Sequence, residues 1–409
     1  MKKIHFLIYI YLLICGAVIY SSLINNNQME KSISENRALT SKKDIIENTN
    51  FFDKQFQNTF NNLLCDQFPF KKEINVIGNY YSNLKCFASE KIDNTNELVL
   101  MKGGWASKIK NTDYYIGGPF IYNEEKESLL ENRIWNFERI YEKYGDKYKM
   151  YIYKPFCVDE KDWFDYHYYS SAGEMCWNKF YSRLDGKYSI LKQDFDTIEE
   201  YKDNHFKTDH HWNYKGAYSG YCDIINMMRQ DYKEISEPHI IESIKKYDYP
   251  FYGTYSMHSC NTIGYDDFIV YNLDYNKDYS FYLDGKKIIA LADGEDVFNS
   301  KKEEYIYEGY YGTNVKEFRI VNNKADNDLN LLIIGDSFLN CIKEDIAAHF
   351  KSVTIIDPRQ FVDPSDPYNT YFSLDEFLEN NNVDCILWLQ SYTYLYFDST
   401  CYLHINLDY

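Results

Sequence analysis

The stretch from residue 329 to residue 390 constrains the fold of this chain most, because its apolar pattern switches repeatedly between two periods. "LNLLIIG" is an unbroken apolar run of strand length, and "SFLNCIKEDIAAHF" carries its apolar residues at helical spacing. "SVTIID" again reads as a strand, "SLDEFLENN" as a helix and "VDCILWLQ" as a strand. Strand–helix–strand–helix–strand at this spacing implies a parallel sheet joined by crossover helices, an α/β architecture. Further upstream, "NEEKESLLENRIWNFERIYEKY" at 123–144 has the pattern of an amphipathic helix, with Glu/Lys pairs on its polar side, and "KYKMYIY" reads as the strand that follows it. Residues 50–86 show helical spacing on both sides of Pro69, which predicts two helices separated by a turn. From 245 to about 325 the texture changes to short aromatic-rich runs broken by Gly, Asn and Asp, and a β-rich insertion is expected there.

A chain of 409 residues with 45% hydrophobic content builds a substantial core, in one large domain or two ordinary ones. Its 62 acidic against 44 basic residues give a net charge of −18, and no basic stripe offsets it. Phosphate backbones would repel such a surface, so nucleic acid is not expected as a partner. The 43 tyrosines fit either a compositional bias or a set of stacking surfaces for sugars. Residues 4–24, "IHFLIYIYLLICGAVIYSSLI", contain no Asp, Glu, Lys or Arg and follow Lys2 and Lys3. As a helix they would span about 30 Å, the thickness of a bilayer's hydrocarbon core. The run is longer than a signal-peptide core and ends in "SSLINNN", so an uncleaved transmembrane helix with the remainder extracytoplasmic is expected. The organisation read from these features is an anchor over 1–25, a stalk over 26–48, and a catalytic domain over 49–409 with its insertion at about 245–325. Nine cysteines lie beyond the anchor without a CxxC pair, which argues against a zinc finger, and Cys385 in "VDCILWL" reads as a small core residue. Neither a metal nor a cofactor is expected.

Two motifs carry chemistry. In "LLIIGDSFLN", Ser337 stands where a buried strand ends and a helix begins, the edge at which open α/β sheets bind ligands. Gly335 permits a tight turn there, and a helix N-terminus offers N–H donors for a developing oxyanion. The plain alternative is that Asp336 or Ser337 only caps the helix. A serine hydroxyl needs a neighbouring base to act as a nucleophile, and the base needs an orienting carboxylate. "FKTDHHWNYKGAY" supplies both. In extended chain, residues i and i+2 point the same way, so Asp209 and His211 sit side by side and His210 points elsewhere. The competing readings are a metal site at Asp209, His210 and His211, and histidines that serve only as hydrogen-bonded core.

Taken together, "TDHHWNYKGAY" and "GDSFLN" resemble the DHHW family of anchored bacterial proteins, which belongs with the SGNH-hydrolase-like alginate O-acetyltransferases. "ENRALT", "DQFPFKKEI", "FYGTYSMHS", "EGYYGTNVKEFRIVN" and "HFKSVTIIDPRQF" are similar to that branch as well. The resemblance implies an SGNH-hydrolase-like, flavodoxin-like parallel sheet flanked by helices. It also implies Ser337 as nucleophile, His211 as general base and Asp209 as its orienter, with Asp and His preceding the serine. No block matching G-x-N-D supplies an asparagine oxyanion donor. Asn340, Asp336, Arg359 and Trp212 are the candidates for oxyanion or substrate contacts. The expected activity is acyl transfer, acetyl above all, to a cell-envelope polysaccharide, fed by a membrane-bound acyl-donor protein. The alternatives are a carbohydrate esterase with the same triad, and a catalytically idle carbohydrate-binding envelope protein.

Overall fold

In the computed structural model, the strands expected in the C-terminal segment lie side by side at the centre of one sheet. The structure describes residues 31–32, 37–46, 54–68, 98–101, 104–108, 112–117, 122–156, 172–259, 263–291, 307–362 and 371–405, with isolated positions between them. The chain divides into two units, one of residues 1–106 with 254–264 and one of residues 107–253 with 265–409.

The larger unit contains helix α1 (Glu124–Tyr144), strand β1 (Lys149–Lys154), α2 (Ala172–Leu184), β2 (Ser189–Lys192), α3 (Ile198–Asn204) and α4 (Tyr214–Met228). Then follow β3 (Ile241–Phe251), β4 (Asp266–Leu273), β5 (Tyr279–Leu283), β6 (Lys286–Ile288), α5 (Tyr307–Tyr311), β7 (Glu317–Asn322) and β8 (Asn330–Gly335). The last part is a 3-10 helix at Ser337–Cys341, α6 (Lys343–Ala347), β9 (Ser352–Ile356), α7 (Leu374–Asn380), β10 (Cys385–Leu389) and α8 (Tyr392–Tyr396). One eight-stranded sheet runs in the order β6-β5-β7-β9-β8-β10-β1-β2. The β9-β8-β10-β1-β2 half is parallel, whereas β7 pairs antiparallel with β9 and carries β5 and β6 outward.

The central strands carry unbroken apolar runs, Met150–Tyr153, Leu331–Ile334 and Cys385–Leu389, because the sheet is covered on both sides there. Leu332, Ile334, Ile386, Trp388, Met150 and Ile152 face one layer with residues of α1, α2, α7 and α8. Leu331, Ile333, Leu387, Leu389, Tyr151 and Tyr153 face the other with α4, the 3-10 helix and α6. Odd and even residues part cleanly, as the two-residue period of a strand requires. Each fully buried large side chain contributes roughly 1.5–3 kcal/mol. Cys385 is a fully buried member of this core, as its apolar run suggested. The start of α1 follows from its capping: the Asn123 side chain accepts from the Lys126 N–H, and Glu124, Glu125 and Glu127 occupy the first turn.

Three expectations change. The β-rich run at 245–325 is not one insertion. β5, β6 and β7 extend the main sheet, and only β3 and β4 form a separate antiparallel ribbon. Aromatic-rich short runs look alike in either setting, because the pattern carries no information about the pairing partner. The continuous helix expected from Ser337 is instead a 3-10 turn, an interruption at Ile342 (φ −119°, ψ 0°), and the short α6. Part of the presumed stalk is folded, with Lys31–Ser32 paired to Arg37–Ala38 and a helix at Lys42–Ile46. In the smaller unit, Lys54–Asp66 is the first of the two helices expected around Pro69, and the Asp66 carboxylate accepts from the Thr40 N–H at 2.9 Å. The second helix and the anchor at 4–24 fall almost wholly outside the described residues. Among the described residues, no helix is long and apolar enough to cross a membrane.

Candidate active site

Ser337 is presented by the end of β8. Gly335 closes that strand, and a Cβ there would meet Leu339 Cδ2 at 2.9 Å, so a larger residue would make the Leu339 side chain shift. Asp336 then caps the helix: one carboxylate oxygen accepts from the Phe338 N–H at 3.0 Å and the other from the Ser391 N–H at 2.6 Å. Burial pushes the Asp336 carboxyl up, while the Arg359 charge and the two backbone donors pull it back. Ser337 is the only half-exposed residue from Leu331 to Asn340.

The second half of the site is the loop between α3 and α4. Asn213 ties its two ends together. The Asn213 N–H donates to the Asn204 carbonyl, and its side chain donates to the Asp203 and His205 carbonyls and accepts from Lys215 and Gly216 N–H at the start of α4. The far end of the loop is pinned by Asp266, which accepts from Lys207 N–H at 2.8 Å, Thr208 N–H at 2.9 Å and Thr208 Oγ1 at 2.5 Å. Between these anchors, Asp209 Oδ1 accepts from the His211 N–H at 3.0 Å and lies 2.6 Å from His211 Nδ1. A carboxylate only accepts, so Nδ1 carries the proton and the Nε2 lone pair is left for a donor. That donor is Ser337: Nε2 and Oγ are 2.8 Å apart, across 126 residues of sequence.

Side chains around His211 fix its ring. Tyr307 stacks on one face with centroids 4.1 Å apart and planes within 6°. Phe338 stands at 5.0 Å and His210 at 3.9 Å. The His210 side chain is 40% exposed and its Nδ1 lies 3.3 Å from Asp209 Oδ1, so it flanks the carboxylate from the solvent side instead of pointing away. His205, beneath the loop, is buried against Tyr201, and burial pushes its imidazole down to about 3. Asp209, His210 and His211 offer ligand atoms within 4.8 Å of one another, a spacing that suits a metal ion. Holding one through His211 would break its contact with either Asp209 or Ser337.

The other candidates have different work. Trp212 is fully buried, packs on Phe338 and Tyr153, and sends its indole N–H to Cys341 Sγ at 3.0 Å, so it presents no face to a substrate. Arg359 grips Asp357 through two nitrogens, at 2.8 and 2.5 Å, with its guanidinium 3.9 Å above the Tyr394 ring. The Asn340 amide donates to Asn314 at 3.1 Å, beside a cavity of about 240 Å³ that neither Ser337 nor His211 lines. Asp336, spent on two backbone donors, is the cap that the plain reading expected. Tyr307, Asp266 and Phe338 escaped the sequence reading.

No protein-family model matches the sequence, and no curated protein is similar to it in sequence. Solved structures are similar in shape. PatB1 from Bacillus cereus, solved with a sulfonyl adduct, aligns over 76% of this chain and 100% of its own, at 20% identity and a TM-score of 0.58. A DHHW family protein from Eubacterium siraeum aligns over 75% of this chain and 96% of its own, at 16% identity and a TM-score of 0.52. The chain has the DHHW-type fold. The O-acetyltransferase domain of AlgJ from Pseudomonas putida is also matched, over 74% of this chain and 92% of its own, at 11% identity and a TM-score of 0.38, too loose to argue from. In the DHHW-type fold of this chain, the D-H-H-W stretch and the G-D-S turn meet at the carboxyl end of the sheet.

Proposed function

We propose that this chain is an extracytoplasmic serine-dependent acyltransferase that moves an acetyl group onto a cell-envelope polysaccharide. One observation carries the reading: Asp209, His211 and Ser337 form a continuous hydrogen-bonded line at the rim of a parallel sheet. As Ser337 Oγ attacks the acyl carbonyl, His211 Nε2 takes its proton and Asp209 stabilises the imidazolium. Collapse of the tetrahedral intermediate releases the leaving group, which takes the proton from His211, and leaves the acetyl on Ser337. A sugar hydroxyl then gives its proton to His211 and attacks the acetyl-serine, and the proton returns to Ser337 as the ester leaves. With water as acceptor the same steps describe an esterase. Residues 4–24 are the proposed membrane anchor, and a membrane-bound acyl-donor protein is the proposed source of acetyl groups.

The test is to give the full-length chain p-nitrophenyl acetate with and without a polysaccharide acceptor, and to follow nitrophenol release and acceptor acetylation by mass spectrometry. Transfer is expected, with Ser337→Ala inactive. Nitrophenol release without acceptor acetylation makes the protein an esterase, and release that survives Ser337→Ala removes the serine from the mechanism.

A further inference from the structure

The imidazole of His211 carries more support than hydrogen bonds alone. Tyr307, at the first position of α5, lays its ring on the imidazole face almost parallel, and Tyr311 packs behind it at 4.9 Å. The Tyr307 side chain is 5% exposed, and its hydroxyl, beside the Cys341 thiol, makes no hydrogen bond to Asp209, His211 or Ser337. What Tyr307 presents to His211 is its ring and not its hydroxyl.

We propose that Tyr307 is a positioning residue for His211, its ring holding the plane of the imidazole and stabilising the imidazolium formed when His211 takes the Ser337 proton. This rests on the acyl-transfer reading above. A cation on the face of an aromatic ring is attracted to it, more strongly where water is excluded. The groups that face His211 from each surrounding element leave that role to the ring. Its own loop supplies the Asp209 carboxylate at the ring edge and the His210 imidazole. The 3-10 helix supplies Ser337 and the apolar Phe338. The end of α3 supplies His205, which burial keeps neutral near pH 7. Cys341, beside Tyr307, has its thiol pushed up to about 12 by burial and stays neutral too. Among the described residues, the Asp209 carboxylate at the ring edge and the Tyr307 π face are thus the groups set to stabilise the positive charge that proton transfer puts on the His211 ring.

The experiment compares Tyr307→Phe and Tyr307→Leu in the full-length chain. It reads the pH profile of p-nitrophenyl acetate turnover, and the His211 titration by NMR in a Ser337→Ala background. Phenylalanine should preserve both. Leucine should lower kcat roughly 10-fold with KM nearly unchanged, and shift the acidic limb and the His211 titration to lower pH, since the protonated form loses its partner. Tyr307→Met serves in the same way if the leucine variant does not fold. Unchanged kcat and titration in the aliphatic variants would overturn the proposal, as would a Tyr307→Phe variant as impaired as Tyr307→Leu. Turnover that persists in Ser337→Ala would count against the nucleophile, while the NMR titration would still report on the stacking.

Discussion

Gly253 backs onto Asp209 so closely that a Cβ at position 253 would lie 2.5 Å from Asp209 Cβ and 2.4 Å from the Thr208 carbonyl oxygen. The Gly253 N–H also donates to Thr208 Oγ1 at 3.2 Å. The carboxylate that orients His211 is therefore set against bare backbone. Gly253→Ala should push the loop away, cost about 1–3 kcal/mol of stability, and lower kcat roughly 10- to 100-fold by misplacing the imidazole. Wild-type kcat from a folded Gly253→Ala protein would show that the loop's position is not what tunes the site.

The two histidines should separate cleanly on substitution. His211 holds both the Asp209 and Ser337 contacts, whereas His210 is 40% exposed, flanks the Asp209 carboxylate and packs against the His211 ring. His211→Ala should remove nearly all esterase turnover, and combining it with Ser337→Ala should add little, because such groups act as a unit. Asp209→Asn should fold and turn over far more slowly, while His210→Ala should cost less than about 10-fold. Steady-state kinetics of the four proteins checks the order. An equally damaging His210→Ala would assign the base to the wrong ring.

Stability should depend on pH through the buried imidazoles. His205 and His349 are both pushed down to about 3, by burial first of all. Unfolded histidine titrates near 6.5, so between 6.5 and 3 the unfolded chain binds more protons than the folded one. Their contribution is complete above pH 6.5 and drains away as pH falls, by at most about 1.4 kcal/mol per pH unit for each. His205 is buried among the rings of Phe156, Phe195 and Tyr201. His205→Phe should therefore raise the denaturation midpoint, with a gain that widens below pH 6.5. A loss of stability at pH 5.5 in that variant would contradict the assignment.

Arg359→Lys should damage the fold more than the chemistry. The guanidinium makes two bonds to Asp357 and covers the Tyr394 ring, and an ammonium cannot reproduce that fork. A stability loss of about 1–2 kcal/mol with kcat within a few-fold of wild type is expected. A kcat collapse without loss of stability would return Arg359 to the list of oxyanion contacts.

Legibility in the sequence followed the range of the interaction. Leu331 to Ile334 and Ile386 to Leu389 advertised their strands, because the centre of a sheet covered on both faces selects apolar side chains at successive positions. Asp209 and His211 were legible as neighbours because a two-residue spacing in extended chain is a local fact. Their meeting with Ser337, 126 positions away, was suggested by the need of a serine for a base. Trp212 was misread since an indole beside a catalytic motif looks the same whether it faces solvent or the core; the small residue at Gly220, where a Cβ would strike the ring at 2.6 Å, is what admits it to the interior. Tyr307 was invisible among 43 tyrosines. Asp266 gave no sign, because a carboxylate that caps a distant loop leaves no periodic trace.

The most direct measurement is the rate and site of covalent labelling by a phenyl sulfonyl fluoride, read by peptide mass spectrometry on the full-length protein. One adduct on the Ser337 peptide is expected. It should be absent from Ser337→Ala and slowed at least about 100-fold in His211→Ala. An adduct on another residue, or equal labelling of Ser337 without His211, would contradict the account.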